Sequence, residues 1–418
     1  HYWEMRYCME GKTPVPHGIK VGLAAVAALA MWKALPSVRS AALPSSVTPE
    51  EHANRIRQTY GASAEAILQT ENPVLPAEEI AERWGEILQI AESLPAPEEL
   101  AELLSGAGAP VRPSEIALDR ATLRDSIRYA RDRKKTFTLL QLLGNLGRLD
   151  DFSERAAAYF ERRALSGVKC FVLDMDGTIY LGDRLFPFTG DFLRRVAAGG
   201  RDYLFFTNNS SQNAAHYLKK LEKMGIPIPP EKLLMSTHVL LDFLQGNAPG
   251  KRVFVAGTKA LIDDFLGAGY TVTAENPDFC VLGFDRDMDY PRLTGLCRFV
   301  REGVPVFGVN TDYNCPTESG DIPDCGSLAA AVTASAGVTM EFFGKPSRRA
   351  LDYIIKKTGY REEELCFVGD RLYTDIAIAS GTGARSVLVL SGETKEEPVG
   401  SPFAPDLIVK DLSALPLP

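Results

Sequence analysis

Two patterns of apolar and polar residues divide the chain. Through roughly the first 165 positions apolar residues recur at helical spacing, as in AEEIAERWGEILQIAESL (77–94) and SIRYARDRKKTFTLLQLLGNLG (126–147). Pro36, Pro44, Pro73, Pro95, Pro97 and Pro113 interrupt that spacing, and from Gly18 to Leu165 the breaks predict about six helices. Thr48 and Ser114 are expected as N-caps. The apolar run Val21–Leu35, about 15 residues with Lys33 inside it, falls short of the roughly 20 that span a bilayer and is expected to be a buried helix. No strand pattern appears in this half, so residues 1–149 are expected to form an all-helical domain and 150–167 a helical linker.

Beyond it, short β-rich runs alternate with helices, which predicts an α/β domain with a parallel sheet. The runs CFVLD (170–174), YLFFTN (203–208), ELCFVGD (364–370) and SVLVLSG (386–392) read as its strands. Ligands of open α/β sheets bind beyond the carboxyl ends of the strands, so Asp174, Thr207 and Asp370 should converge at one edge. Between the second and third runs lies an insertion with its own strand-helix-strand pattern: RVFVAG, a helix over Thr258–Leu266, YTVT, DFCVLGFD, a helix over Arg292–Arg301, and VPVFGVN. This places a cap at 235–309 and the core at 168–234 and 310–418.

The composition, 45% hydrophobic and 24% charged, is that of a globular chain. A net charge of −8 argues against nucleic acid or an anionic membrane as partner and requires any phosphate to be held locally. Seven scattered cysteines without a CxxC pair fit reduced cytoplasmic thiols. The start, HYWEMRYCMEGK, has no signal-peptide pattern and no initiator Met, which points to the C-terminal part of a longer protein.

Candidate chemistry sits at the strand ends. Asp174-Met175-Asp176-Gly177-Thr178 offers one carboxylate to attack phosphorus and another to protonate the departing alkoxide and then deprotonate water. Alone, such a pair is an acidic turn. Thr207-Asn208-Asn209-Ser210 could donate to phosphate oxygens, Lys345 in Phe343-Gly344-Lys345-Pro346 could pair with phosphate, and Asp370 and Asp375 of GDRLYTD suit Mg²⁺. Each has a plainer reading as turn or solvated surface; their order after strands and before helices sets them apart. Asp285, Arg286, Asp287 and Tyr290 lie on a cap loop and receive no assignment.

DMDGT, TNNS, GKP and GDRLYTD resemble the four motifs of haloacid dehalogenase phosphatases, and the cap placement resembles their NagD-like branch with a type-two cap. Asn310–Leu328 is similar to that branch's return segment. The resemblance, over about 250 residues, implies a Rossmann-like core and a Mg²⁺-dependent phosphomonoesterase acting on a small phosphorylated metabolite. It implies Asp174 as nucleophile forming an aspartyl-phosphate and Asp176 as acid and base. Thr207, Asn208 and Lys345 would hold the phosphoryl group. Mg²⁺ would be bound by Asp174, the Asp176 carbonyl and Asp370, with Asp375 nearby. Self-association is left open.

In the first half, HYWEM, PVPHGIKVGLA and LRDSIRYARDRKKTFTLLQLLGNLG resemble the C-terminal helical domain of sn-glycerol-1-phosphate dehydrogenases. That resemblance implies His17 as a Zn²⁺ ligand, with His1 less securely placed, and NAD(P) as the cofactor of a full-length bifunctional protein. No Gly-rich dinucleotide fingerprint occurs in residues 1–165, so this stretch alone is expected to be inert as a dehydrogenase. The pairing of the two halves suggests glycerol phosphate or a close relative as the phosphatase substrate.

Overall fold

The computed structural model describes residues 2–9, 11, 13, 15–38, 49–70, 75–133, 135–317, 320–398 and 401–417. His1, Pro44, Thr48 and Pro73 lie outside the described residues. The chain divides into two compact units, His1–Ala164 with Val399–Asp406, and Leu165–Pro398 with Leu407–Pro418.

The first unit is helical. Over the stretch where six were expected, nine α-helices are described, from His17–Ala34 to Leu149–Ala164, because some breaks carry no proline; Tyr2–Met9 precedes them. AEEIAERWGEIL, which reads as one helix, is interrupted at Arg83, where φ −95° and ψ 8° separate Ala77–Glu82 from Trp84–Ser93. Ser114 is not an N-cap: it lies inside the 3₁₀ turn Pro113–Ile116, with Arg112 at the cap position, and its hydroxyl donates to Asp406 at 2.5 Å. The helix Leu149–Ala164 buries Phe152, Ala156 and Phe160 into this unit's core. The helix expected over Val21–Leu35 runs from His17 to Ala34. It is less buried than its apolarity suggests: with the following turn it is long and apolar enough to cross a membrane by length and composition, and 33% of its apolar window is buried.

The second unit has a Rossmann-like core. Its six-stranded sheet has the order Leu407–Val409, Arg385–Val389, Leu365–Gly369, Cys170–Leu173, Asp202–Thr207, Leu233–Met235, and every pairing is parallel. Cys170–Leu173 and Leu365–Gly369 are buried along their whole length, as strands covered by helices on both faces must be. A second sheet, in the order Glu341–Phe342, Val306–Gly308, Phe279–Leu282, Arg252–Ala256, Thr271–Val272, forms the cap. Its return differs from the sequence expectation. The strand Glu341–Phe342 pairs with Val306–Gly308, and Cys325, Ala329 and Val332 of the helix Cys325–Ala336 pack in one cluster with Cys280 and Leu282. The cap sheet therefore recruits residues past 309, and the chain re-enters the core beside Phe343.

Candidate active site

Register in the sheet brings the acidic residues together. Leu173 sits between Phe205 and Val368, so Asp174 and Asp370 follow their strands, and Thr207 ends the one between Cys170–Leu173 and Leu233–Met235, at the same edge. The Asp174 N–H donates to the Val368 carbonyl at 2.8 Å, which holds the turn against the neighbouring strand. Gly177 completes that turn at φ +87°, and a Cβ there would meet Asp370 Oδ2 at 2.5 Å. Only glycine satisfies both the backbone conformation and the contact.

Asp174, Asp370 and Asp375 each offer a carboxylate oxygen within 4.8 Å of the others, and they are the one such group of metal-ligating side chains among the described residues. Lys345, 3% exposed, donates from Nζ to Asp174 Oδ1 and Asp375 Oδ1, both at 2.6 Å, and to the Phe206 carbonyl at 3.0 Å. A single ammonium thus serves two carboxylates. Burial pushes the Asp174 carboxyl well above the usual range; Lys345 opposes this, and Asp375 and Asp370 add to it. Asp370 is pushed up to about 7, by burial first and Asp375 second. Burial draws the Lys345 ammonium down, but Asp174 and Asp375 outweigh it and raise its pKa overall. Such a surplus of hard oxygen donors with raised proton affinity fits a divalent cation of the Mg²⁺ kind.

Asp176 is also raised, chiefly by burial, with Lys220 and the Tyr180 hydroxyl pulling the other way. Tyr180 donates to its Oδ2 at 3.2 Å. A carboxyl of raised proton affinity beside Asp174 suits a general acid.

Thr207 and Lys345 line one cavity with Asp174 and Asp176. Asn208 lines it too, but its side chain is committed elsewhere. Its amide donates to Asp312 Oδ2 at 2.7 Å and to the Lys345 carbonyl at 3.0 Å, and its Oδ1 accepts the Lys345 N–H at 2.8 Å. Both amide hydrogens are spent, so the side chain is a strut for the lysine segment and not the phosphate donor expected from the sequence. Two residues without an expected role join the site. Asp312, 2% exposed, accepts from Asn208, Asn310 and Arg371, and Arg371 also pairs with Glu393 at 2.9 Å.

The cavity holds about 40 Å³, room for a few water-sized groups such as phosphoryl oxygens. A larger one, about 760 Å³, lies in the helical unit and is lined by His17, Lys20 and Arg131 among apolar residues. Lys20 pairs there with Glu4 at 3.3 Å and Arg131 with Asp132 at 3.7 Å. His17 joins no metal-ligating group among the described residues, so the expected Zn²⁺ site is not assembled there.

An aspartate at a strand end, a lysine paired to it and a carboxylate cluster at one sheet edge, with a second sheet inserted in the chain, are the arrangement of a capped phosphoryl-transfer hydrolase. Comparison with known sequences agrees. The pattern of the haloacid dehalogenase-like hydrolases matches residues 171–271, and a related HAD-hydrolase-like pattern matches 342–415. The chain is 32% identical over 229 residues to a 5′-nucleotidase of Bacillus subtilis, covering 55% of this chain and 90% of that one. It is 29% identical over 247 residues to an acid sugar phosphatase of Staphylococcus aureus, covering 59% and 95%. Among solved structures, a 4-nitrophenylphosphatase from Thermotoga maritima superposes with TM-score 0.58 at 38% identity, covering 60% of this chain and 97% of that one. A glycerol phosphate phosphatase from Mycobacterium tuberculosis, in complex with calcium, gives 0.54 at 28%, covering 60% and 76%. The chain belongs to the haloacid dehalogenase-like hydrolases, and within them it is a phosphatase of the NagD-like kind.

Proposed function

We propose that residues 168–418 hydrolyse a small phosphorylated metabolite in the cytoplasm by way of an aspartyl-phosphate at Asp174. The observation that carries this reading is the convergence of Asp174, Asp370, Asp375 and Lys345 around one cavity. An Asp174 oxygen attacks phosphorus as the bond to the leaving oxygen breaks, and Asp176 delivers its proton to that oxygen. Asp176, now a carboxylate, takes a proton from water; the water oxygen displaces Asp174 and inorganic phosphate departs. Lys345 and Thr207 hold the phosphoryl oxygens in line, which is most of what this reaction asks of a protein. Mg²⁺ would be held by Asp174, Asp370 and the Asp176 carbonyl, with Asp375 behind, and would supply the charge neutralisation that lets a carboxylate approach a phosphate dianion.

The small cavity supports a compact substrate, and the calcium in one structural neighbour supports an oxygen-ligated divalent ion. The test is phosphate release by wild type and Asp174→Asn with and without Mg²⁺, combined with acid quench and mass analysis of the peptide carrying Asp174. The expected outcome is loss of turnover in the variant, loss on chelation, and a phosphorylated Asp174 peptide in the wild type alone. Substantial turnover by Asp174→Asn would remove the mechanism.

A further inference from the structure

Lys345 has little left to give an incoming phosphate. Its three ammonium hydrogens already serve Asp174 Oδ1, Asp375 Oδ1 and the Phe206 carbonyl, so a phosphoryl oxygen has to displace one of these acceptors. The other cation lining the cavity is Arg371. Because the cavity holds only about 40 Å³, a phosphoryl group that fills it lies against the Arg371 wall as well.

The Arg371 side chain is 13% exposed and held at several points. Its Nη1 donates to Asp312 Oδ1 at 2.5 Å, its Nε pairs with Glu393 at 2.9 Å, and its backbone N–H donates to Asp375 Oδ2 at 3.1 Å. Nη2 hydrogen-bonds to no acceptor among the described residues. Asp312, 2% exposed, uses its second oxygen differently: Oδ2 accepts Asn208 at 2.7 Å and Asn310 at 2.9 Å. Asn208 in turn clasps the Lys345 main chain through its N–H and its carbonyl. One carboxylate therefore ties the guanidinium to the segment that carries the ammonium. Two glycines permit the close approach. A Cβ at Gly344 would meet Asn208 Oδ1 at 2.5 Å, and one at Gly326 would meet the Asp312 carbonyl at 2.9 Å, the carbonyl to which the Gly326 N–H donates at 2.8 Å.

We propose that Arg371 is a further phosphate-binding residue, donating from Nη2 to a phosphoryl oxygen, and that Asp312 is its positioning residue and, through Asn208, also sets the Lys345 segment. A planar guanidinium matches phosphate oxygens directionally, where an ammonium acts as a point charge. Arg371 then holds the group being transferred while Lys345 stays paired with the carboxylates beside it. The assignment rests on the phosphatase reading above.

Inorganic phosphate, the reaction's product, is the probe. Its inhibition constant against 4-nitrophenyl phosphate hydrolysis is measured, with kcat, KM and melting temperature, in wild type, Arg371→Met, Arg371→Lys, Asp312→Asn, Asp312→Glu and the double variant Arg371→Met/Asp312→Asn. Arg371→Met is expected to weaken phosphate inhibition at least about tenfold, as loss of a charged donor should. Arg371→Lys keeps the charge but cannot hold Asp312 and phosphate at once, so it should weaken inhibition several-fold. Both Asp312 variants should weaken it too and lower kcat, since they also loosen the lysine segment. In the double variant the loss should fall well short of the product of the two single losses, because Asp312 acts through Arg371. Arg371 variants that bind phosphate as the wild type does would overturn the binding role. Single losses that simply multiply, or Asp312 variants that change the melting temperature alone, would overturn the positioning role. Either result leaves the phosphatase reading standing. A wild type inactive on 4-nitrophenyl phosphate and on a panel of phosphomonoesters would overturn both.

Discussion

Asp370 and Asn208 show how single side chains set the site's chemistry. With its pKa pushed up to about 7, Asp370 keeps a proton that a divalent ion must displace. Apparent Mg²⁺ affinity is therefore expected to climb as pH rises toward 7 and to level off above it. Calorimetric titration in buffers of different ionisation enthalpy should detect proton release below that pH. Asn208 holds the Lys345 segment by both its N–H and its carbonyl. Asn208→Ala would leave these buried groups unpaired at about 1–3 kcal/mol each and loosen the lysine, so kcat is expected to fall at least about tenfold in a steady-state assay. Asp174, Asp176, Lys345, Asp370 and Asp375 are legible in the sequence because they sit at strand ends in short motifs. The role of Arg371 is not, although it stands within GDRLYTD, because its partner Asp312 is 59 positions away and in a segment without periodicity. A buried acid in a loop leaves no local pattern to read.

At the level of elements, the strands Cys170–Leu173, Asp202–Thr207, Leu365–Gly369 and Arg385–Val389 stand out because each carries a run of three or more buried apolar residues. Leu233–Met235 and Leu407–Val409 are edge strands of three residues, too short to show a pattern. The helix Cys325–Ala336 and strand Glu341–Phe342 can be read as elements, but periodicity does not say which of two sheets an element joins. The cap helix Lys259–Gly267 carries Asp264, pushed up from 3.8 to about 6 by burial first and Asp263 second. The folded cap thus binds a proton more tightly than the unfolded chain. That contribution to stability is complete below 3.8 and is lost as pH rises through 6. Asp264→Asn is expected to raise the melting temperature at pH 8 by a few degrees and to change it little near pH 3.8, as thermal scans at the two pH values would show.

Over the whole molecule, a chain of net charge −8 has to admit a phosphate dianion. The mean field repels such a substrate while Lys345 and Arg371 attract it at short range. Because exposed charges are screened beyond about 10 Å at 0.1 M salt and buried ones much less, kcat/KM for a phosphomonoester should rise modestly with added NaCl at fixed Mg²⁺ before levelling off. A steep fall instead would mean that attraction by exposed cations governs capture. The cap sheet and Lys345 are close neighbours along the chain: only Phe343 and Gly344 lie between the strand Glu341–Phe342 and Lys345. A lid hung this near its own ammonium cannot swing freely. Any displacement of the cap sheet would therefore pull on the segment that carries Lys345, which couples the cap's position to the placement of the ammonium.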